Sequence, residues 1–82
     1  MDFKNKTVLI TGASSGMGCL SCEKYAESGA NVVMLDINEK ALMEKEAELR
    51  NNGFEAIGIV CNVREYSDIE NAVNTAKEKY GT

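Results

Sequence analysis

Three glycines, Gly12, Gly16 and Gly18, stand directly behind the apolar run Val8-Leu9-Ile10 and Thr11, and a helical pattern opens immediately after them. Strand, glycine-rich turn, helix is the order in which a backbone can hold a phosphate. The turn must pass close to the anion with no Cβ in the way, and the helix must open with N–H groups that its own carbonyls do not reach. In such a turn the first glycine permits the tight bend, the second admits a pyrophosphate, and the third lets helix and strand pack closely. Ser14 and Ser15, inside the turn, add hydroxyl donors for phosphate or ribose oxygens. A Walker-type loop is excluded, because no Gly-Lys-Ser/Thr follows and no lysine is placed to meet β- and γ-phosphates.

The second chemically loaded residue is Asp36, which ends the apolar run Val32-Val33-Met34-Leu35 and follows Gly18 by 18 residues. That spacing is close to the roughly 20 residues that separate a glycine turn from the acid that binds a ribose 2′-hydroxyl. Its carboxylate would accept from the 2′- and 3′-hydroxyls and would repel a 2′-phosphate. No arginine stands at Ser15 or Ile37 to neutralise such a phosphate, and Lys40 lies a turn into the next helix. The pattern therefore selects NAD over NADP, with Ile37 covering one face of the adenine.

The elements that must position these residues follow in order. A polar lead-in, Lys4-Asn5-Lys6, precedes a strand over residues 7–10 with no polar alternation, as in sheets covered on both faces. Residues 17–28 read as a helix with Cys22, Tyr25 and Ala26 at spacings of three and four, stopped by Gly29. The run 32–35 is a second strand. Asn38 is placed to cap a helix with Glu39 in its first turn, running to about residue 51. That helix is densely charged, with Leu42 and Leu49, flanked by Met43 and Ala47, as its inward stripe and the charges as a solvated face. Residues 55–60 form a third strand, followed by Cys61-Asn62-Val63. A third helix spans about 65–80, with Ile69, Ala72, Val73, Ala76 and Tyr80 on one face and Ser67-x-x-Glu70 as a capping box. The alternation is β-α-β-α-β-α with long crossovers. It predicts an α/β fold that is half of a doubly wound Rossmann fold, with a parallel sheet in the order 3-2-1 and helices on both faces. The glycine turn, Asp36 with Ile37, and Asn62 with Val63 then converge at the C-terminal strand ends, where ligands of such sheets sit.

The stretch Thr11-Gly12-x-x-x-Gly16-x-Gly18 resembles the Thr-Gly-x-x-x-Gly-x-Gly element of the short-chain dehydrogenase/reductase family, whose members bind NAD(H) or NADP(H). The resemblance implies that residues 1–82 are the N-terminal NAD-binding portion of such a domain. Met17 would pack beneath the nicotinamide-side sugar. Asn62 falls where the family usually carries an aspartate that accepts from the adenine 6-amino group, and Val63 would contribute a backbone contact. The amide oxygen of Asn62 can accept the same bond without charge. The family continues with a fourth strand, an Asn-Asn-Ala-Gly element, a catalytic serine and a Tyr-x-x-x-Lys pair. Here Tyr25 is followed four residues on by Gly29 and Tyr66 by Glu70, and Tyr80 has only Gly81 and Thr82 after it. A tyrosine acid needs that lysine to lower its pKa. The chain is therefore expected to hold no catalytic residues, to show no turnover by itself, and to be truncated.

Composition narrows the alternatives. The chain of 82 residues has a net charge of −4, which argues against nucleic acid or an anionic membrane as partner. No apolar run approaches a membrane span and no signal-peptide pattern opens the chain, so a soluble cytoplasmic protein is expected. Three cysteines and no histidine give neither a disulfide framework nor a zinc site. Cys19-Leu-Ser-Cys22 reads chiefly as a buried small residue, Cys22, beside a partly exposed and oxidisable one, Cys19. A methyltransferase is disfavoured by Thr11-Gly12 and the long Gly12–Gly16 gap. The other reading is a non-catalytic interaction or assembly module. In both, the first strand lacks a neighbour on one side, and that apolar edge is expected to make the chain a homo-oligomer.

Overall fold

A computed structural model of the chain describes residues 4–13, 16–62 and 64–81, with residue 17 described by its backbone alone. Six elements alternate along it: β1 (Thr7–Thr11), α1 (Gly16–Glu27), β2 (Asn31–Asp36), α2 (Glu39–Asn51), β3 (Ala56–Val60) and α3 (Tyr66–Tyr80). The expected order is borne out, and each boundary falls within a residue of its expected place. The three strands pair in parallel in the linear order β1-β2-β3, which is the predicted 3-2-1 sheet.

The run of apolar residues in β2 explains the layering. Side chains alternate between the two faces of a strand, so an unbroken apolar run needs cover on both. Val32 and Met34 face a core built with Cys22 and Ala26 of α1 and Leu42 and Leu49 of α2. Val33 and Leu35 face a second core built with Ala72 and Ala76 of α3, against which Ile69 and Tyr80 pack. All four β2 side chains are fully buried, each contributing about 1.5–3 kcal/mol of apolar transfer. Two helices on one face and one on the other therefore hold β2 as the rigid centre of the sheet.

Helix ends follow their sequence signals with one correction. The Asn38 side chain accepts from the Ala41 N–H at 3.2 Å and caps α2, as its type and place predict. Gly81 takes a left-handed conformation, φ 78°, and closes α3. The Ser67–Glu70 capping box expected within the first turn of α3 does not form: Glu65 is the N-cap, without a side-chain cap bond, and Ser67 is already the second helical residue. In its place the Asp68 carboxylate reaches back and accepts from the Asn62 N–H at 3.1 Å.

The charged face of α2 also needs correcting. Lys45 is buried, its ammonium bonded to Glu23 of α1 and, at 3.2 Å, to Glu48. Two further charged residues of α2 finish the outer margin of β3. In the parallel ladder the odd-numbered residues along β3 direct their backbone hydrogen bonds to β2, as the bonds at Glu55 and Cys61 show, which leaves the backbone groups of the even-numbered ones facing outward. Arg50 Nε donates to the Ala56 carbonyl at 2.9 Å, and the Gly58 N–H donates to Glu46 Oε1 at 2.8 Å. A helix one crossover away thus supplies the partners that another strand would have supplied.

Candidate functional site

The crevice at the strand tips is built by continuation of the parallel ladder. Thr11 is paired with Leu35, and Asp36 with Val60, so the chain leaves all three strands at nearly one level. Past the last pairs, the Ala13 N–H donates to the Leu35 carbonyl at 3.2 Å, and the Cys61 N–H donates to the Asp36 carbonyl at 2.9 Å. These bonds tie the glycine turn to β2 and β2 to the loop after β3. Between them lies a cleft of about 360 Å³ lined by Gly12, Leu35, Asp36, Ile37, Cys61, Asn62 and Arg64.

On the glycine side, Gly12 has φ 62°, the left-handed region that a residue with a Cβ rarely enters, and this bends the chain away from β1. Gly16 begins α1, and a Cβ there would meet nothing. Gly18 lies two residues further on with its Cα pressed against the turn, where a Cβ would clash with the Gly12 carbonyl, 2.8 Å from its carbon, and fall 3.0 Å from the Ala13 Cα. The three glycines therefore do three separate things: bend, leave open space, and permit close packing. Cys19 adds a fastening, its thiol donating to the Ala13 carbonyl at 3.1 Å.

On the opposite wall Asp36 is half-buried, and its Oδ1 accepts from the Asn38 N–H at 2.9 Å. That bond orients the carboxylate at the mouth of the cleft. A carboxylate offers about four acceptor positions and no donor, which is the chemistry that hydroxyl donors meet. Ile37 beside it is 68% exposed, an apolar side chain standing at the rim rather than in either core. Asn62 closes the third side. Its N–H donates to Asp68, and its Oδ1 accepts from the Arg64 N–H at 3.0 Å, so its side chain is folded into a local turn. The amide oxygen assigned to an adenine amino group thus already holds one donor, with a second lone pair remaining by its chemistry.

Of the predicted site residues, Gly12, Asp36, Ile37 and Asn62 line one cleft, while Gly16 and Gly18 lie on the first turn of α1 behind it. Ser14, Ser15, Val63 and the Met17 side chain lie outside the described residues. Three cleft residues were not singled out from sequence. Leu35 and Cys61 belong to the floor. Burial, and secondarily the Asp68 charge, push the Cys61 thiol above its ordinary range, which makes it a neutral wall rather than a nucleophile. Arg64 is exposed and brings the one positive side chain among the lining residues. Its signal was its place two residues after Asn62, on the loop that the topology sends to the crevice. No group of three or more candidate metal ligands occurs among the described residues. No helix among them is long and apolar enough to cross a membrane.

The family model for short chain dehydrogenase matches residues 6–82. The chain belongs to the short-chain dehydrogenase family. Its relatives within that family include a diacetyl reductase [(S)-acetoin forming] from Staphylococcus epidermidis, 36% identical over 77 residues, which cover 94% of this chain and 30% of the relative. Oxidoreductase UcpA of Salmonella typhimurium is 40% identical over 77 residues, covering 93% and 28% respectively. Among solved structures, a short chain dehydrogenase/reductase from Burkholderia phymatum in complex with NAD superposes with a TM-score of 0.95 at 34% identity, covering 100% of this chain and 29% of that one. A hydroxysteroid dehydrogenase from Escherichia coli gives 0.94 at 28% identity, covering 99% and 34%. The chain thus spans about 30% of the length of the relatives it matches. The half-Rossmann architecture and the family resemblance expected from the glycine stretch are both borne out.

Proposed function

We propose that this short-chain dehydrogenase segment binds NAD(H) in the cleft at its strand tips. The whole protein would be an oxidoreductase that moves a hydride between NAD(H) and an alcohol or ketone. The observation that carries the reading is the Asp36 carboxylate, held by the Asn38 N–H on the wall facing Gly12. The residues present suit a dinucleotide. A left-handed Gly12 and an open Gly16 leave the backbone bare where a pyrophosphate would approach, and an acceptor-only side chain stands where ribose hydroxyls would donate. Ile37 offers an apolar face to the adenine. Asn62 accepts from its amino group, and Val63 contributes backbone. Ser14 and Ser15 bond the phosphates, and Met17 walls the second sugar. The structure of a relative holding NAD supports the same choice.

NAD, when bound, would supply the hydride acceptor. The residues of this segment would bind and orient it. They would not take part in proton transfer, since no Tyr-x-x-x-Lys occurs in residues 1–82. NAD is favoured over NADP because Asp36 would face the extra phosphate with like charge. Arg64, a cation among the lining residues of the cleft, works against that preference. Calorimetric titration with NAD, NADP and S-adenosylmethionine tests the proposal. Heat with NAD, weaker heat with NADP and none with the third is the expected result, and silence with all three would overturn it.

A second proposal concerns assembly. β1 ends the sheet among the described residues, and Leu9 at its centre is 40% exposed. We infer that this margin pairs with a second copy, so that the chain is a homo-oligomer even if it binds no nucleotide. Sedimentation at micromolar concentration should show species above monomer mass, and a monodisperse monomer would refute it.

A further inference from the structure

The Cys19-Leu-Ser-Cys22 pair is not used by the nucleotide reading, yet it stands on the first turns of α1, immediately behind the glycine turn. Residues three apart on a helix share a face, and the helix rise and radius put their Cα atoms about 5 Å apart. That lies inside the roughly 4.4–6.8 Å range that a disulfide spans, while their Cβ atoms, about 5–6 Å apart on a regular helix, exceed its roughly 3.5–4.5 Å, so closing the bond must draw the first turns of α1 out of regular geometry. The two thiols differ in access. Cys19 is half-buried at the helix surface, whereas Cys22 is fully buried in the core beneath α1 and α2. Burial, and secondarily the neighbouring Cys19, push the Cys22 thiol up to about 11, so Cys19 is the sulfur that initiates the exchange. Cys61 belongs to the core on the opposite face of the sheet and has no such neighbour there.

We propose that Cys19 and Cys22 form a reversible intrahelical disulfide whose formation unfastens the glycine turn. The link between the two events is the bond from the Cys19 thiol to the Ala13 carbonyl. A sulfur joined to Cys22 has lost its proton and has swung toward the core, so it no longer donates to that carbonyl. Ala13 is fully buried, and it is the residue through which the turn is tied to β2. Any small disulfide, oxidised glutathione for example, is a sufficient oxidant. The Cys19 thiolate attacks it, forming a mixed disulfide and expelling one glutathione thiolate. As the first turns of α1 open, Cys22 passes its proton to the glutathione thiolate already expelled, and its sulfur attacks Cys19 Sγ, expelling the second. The chain loses two hydrogens, and one glutathione disulfide becomes two thiols.

The experiment treats the folded chain with oxidised glutathione, maps the disulfide by mass spectrometry of peptides, and follows amide hydrogen exchange over residues 12–18. The expected result is a Cys19–Cys22 link with Cys61 still alkylatable, faster exchange in the turn, and full reversal by dithiothreitol. Cys19→Ser, which keeps a hydroxyl donor for the Ala13 carbonyl, should make turn exchange indifferent to the oxidant. A persistent glutathione adduct on Cys19, a link to Cys61, or a disulfide with unchanged turn exchange would each overturn the proposal. A calorimetric arm rests on the nucleotide reading. Oxidation should weaken NAD about three- to tenfold, the worth of one lost hydrogen bond. Failure of the reduced chain to bind NAD would count against that reading alone, since the peptide map and exchange decide the disulfide independently.

Discussion

Gly18 is in contact with Gly12 across the turn, so close that a Cβ on Gly18 would stand 2.8 Å from the Gly12 carbonyl carbon. The obstacle is backbone on both sides and cannot rotate away. Gly18→Ala must therefore pry α1 from the end of β1, at a cost of about 1–3 kcal/mol despite the better helix propensity of alanine. Urea denaturation should show the midpoint fall with little change in slope.

Gly16 makes the opposite case. A Cβ there meets nothing within 4 Å. Gly16→Ala should leave stability level or raise it by up to about 1 kcal/mol, as alanine suits a helix better. NAD binding should nevertheless fall, because the new methyl occupies the approach of the pyrophosphate. Denaturation and calorimetry on the same variant separate the two effects, and unchanged NAD affinity would remove Gly16 from the site.

Asp36→Ala should weaken NAD about tenfold, the loss of charge-assisted hydrogen bonds to two hydroxyls, and weaken NADP far less. The ratio of the two affinities is the quantity to measure. An unchanged ratio would show that Asp36 does not meet the ribose.

Alkaline pH should destabilise the fold. Cys22 is raised by burial from 9.0 to about 11. Below pH 9 both folded and unfolded chains keep its proton and its full contribution is present. Between 9 and about 11 the unfolded chain alone releases the proton, and about 2–3 kcal/mol is lost. Lys45 adds to the same limb. Burial acts to lower it, but the bonds to Glu23 and Glu48 outweigh burial and leave it raised, so its share is lost as pH climbs through its folded value. Cys22→Ala should flatten the curve of stability against pH over that interval, and an unaltered curve would contradict this assignment.

Asp68→Ala should loosen the loop after β3. The carboxylate accepts from the Asn62 N–H, and its removal leaves that half-buried donor unpaired at a cost of about 1 kcal/mol. NAD affinity should drop together with stability, and faster amide exchange at residues 61–65 would locate the effect.

Much of this arrangement could be read from residue types. The unbroken apolar run of β2 demanded two covered faces, Asn38 announced a cap, and the spacing from Gly18 to Asp36 followed from one βαβ unit. What escaped was chosen by tertiary contacts. Lys45 sits in a run of charges that pattern alone assigns to solvent, and the approach of Glu23 from another helix, added to Glu48 on its own, makes its burial tolerable. Ser67 and Glu70 had the right spacing for a capping box, but Ser67 lies inside a helix that Glu65 opens, and it is Asp68 that reaches back, to the Asn62 N–H. Arg64 reaches the cleft because of where its loop runs, a fact that no local pattern encodes.

The side chains that Arg50 and Glu46 lay along Ala56 and Gly58 have a directional consequence. Widening the sheet beside β3 would break both of these bonds, whereas widening it beside β1 breaks neither. A strand added beside Thr7–Thr11 would move the crevice at the strand tips from the rim of the molecule toward its middle.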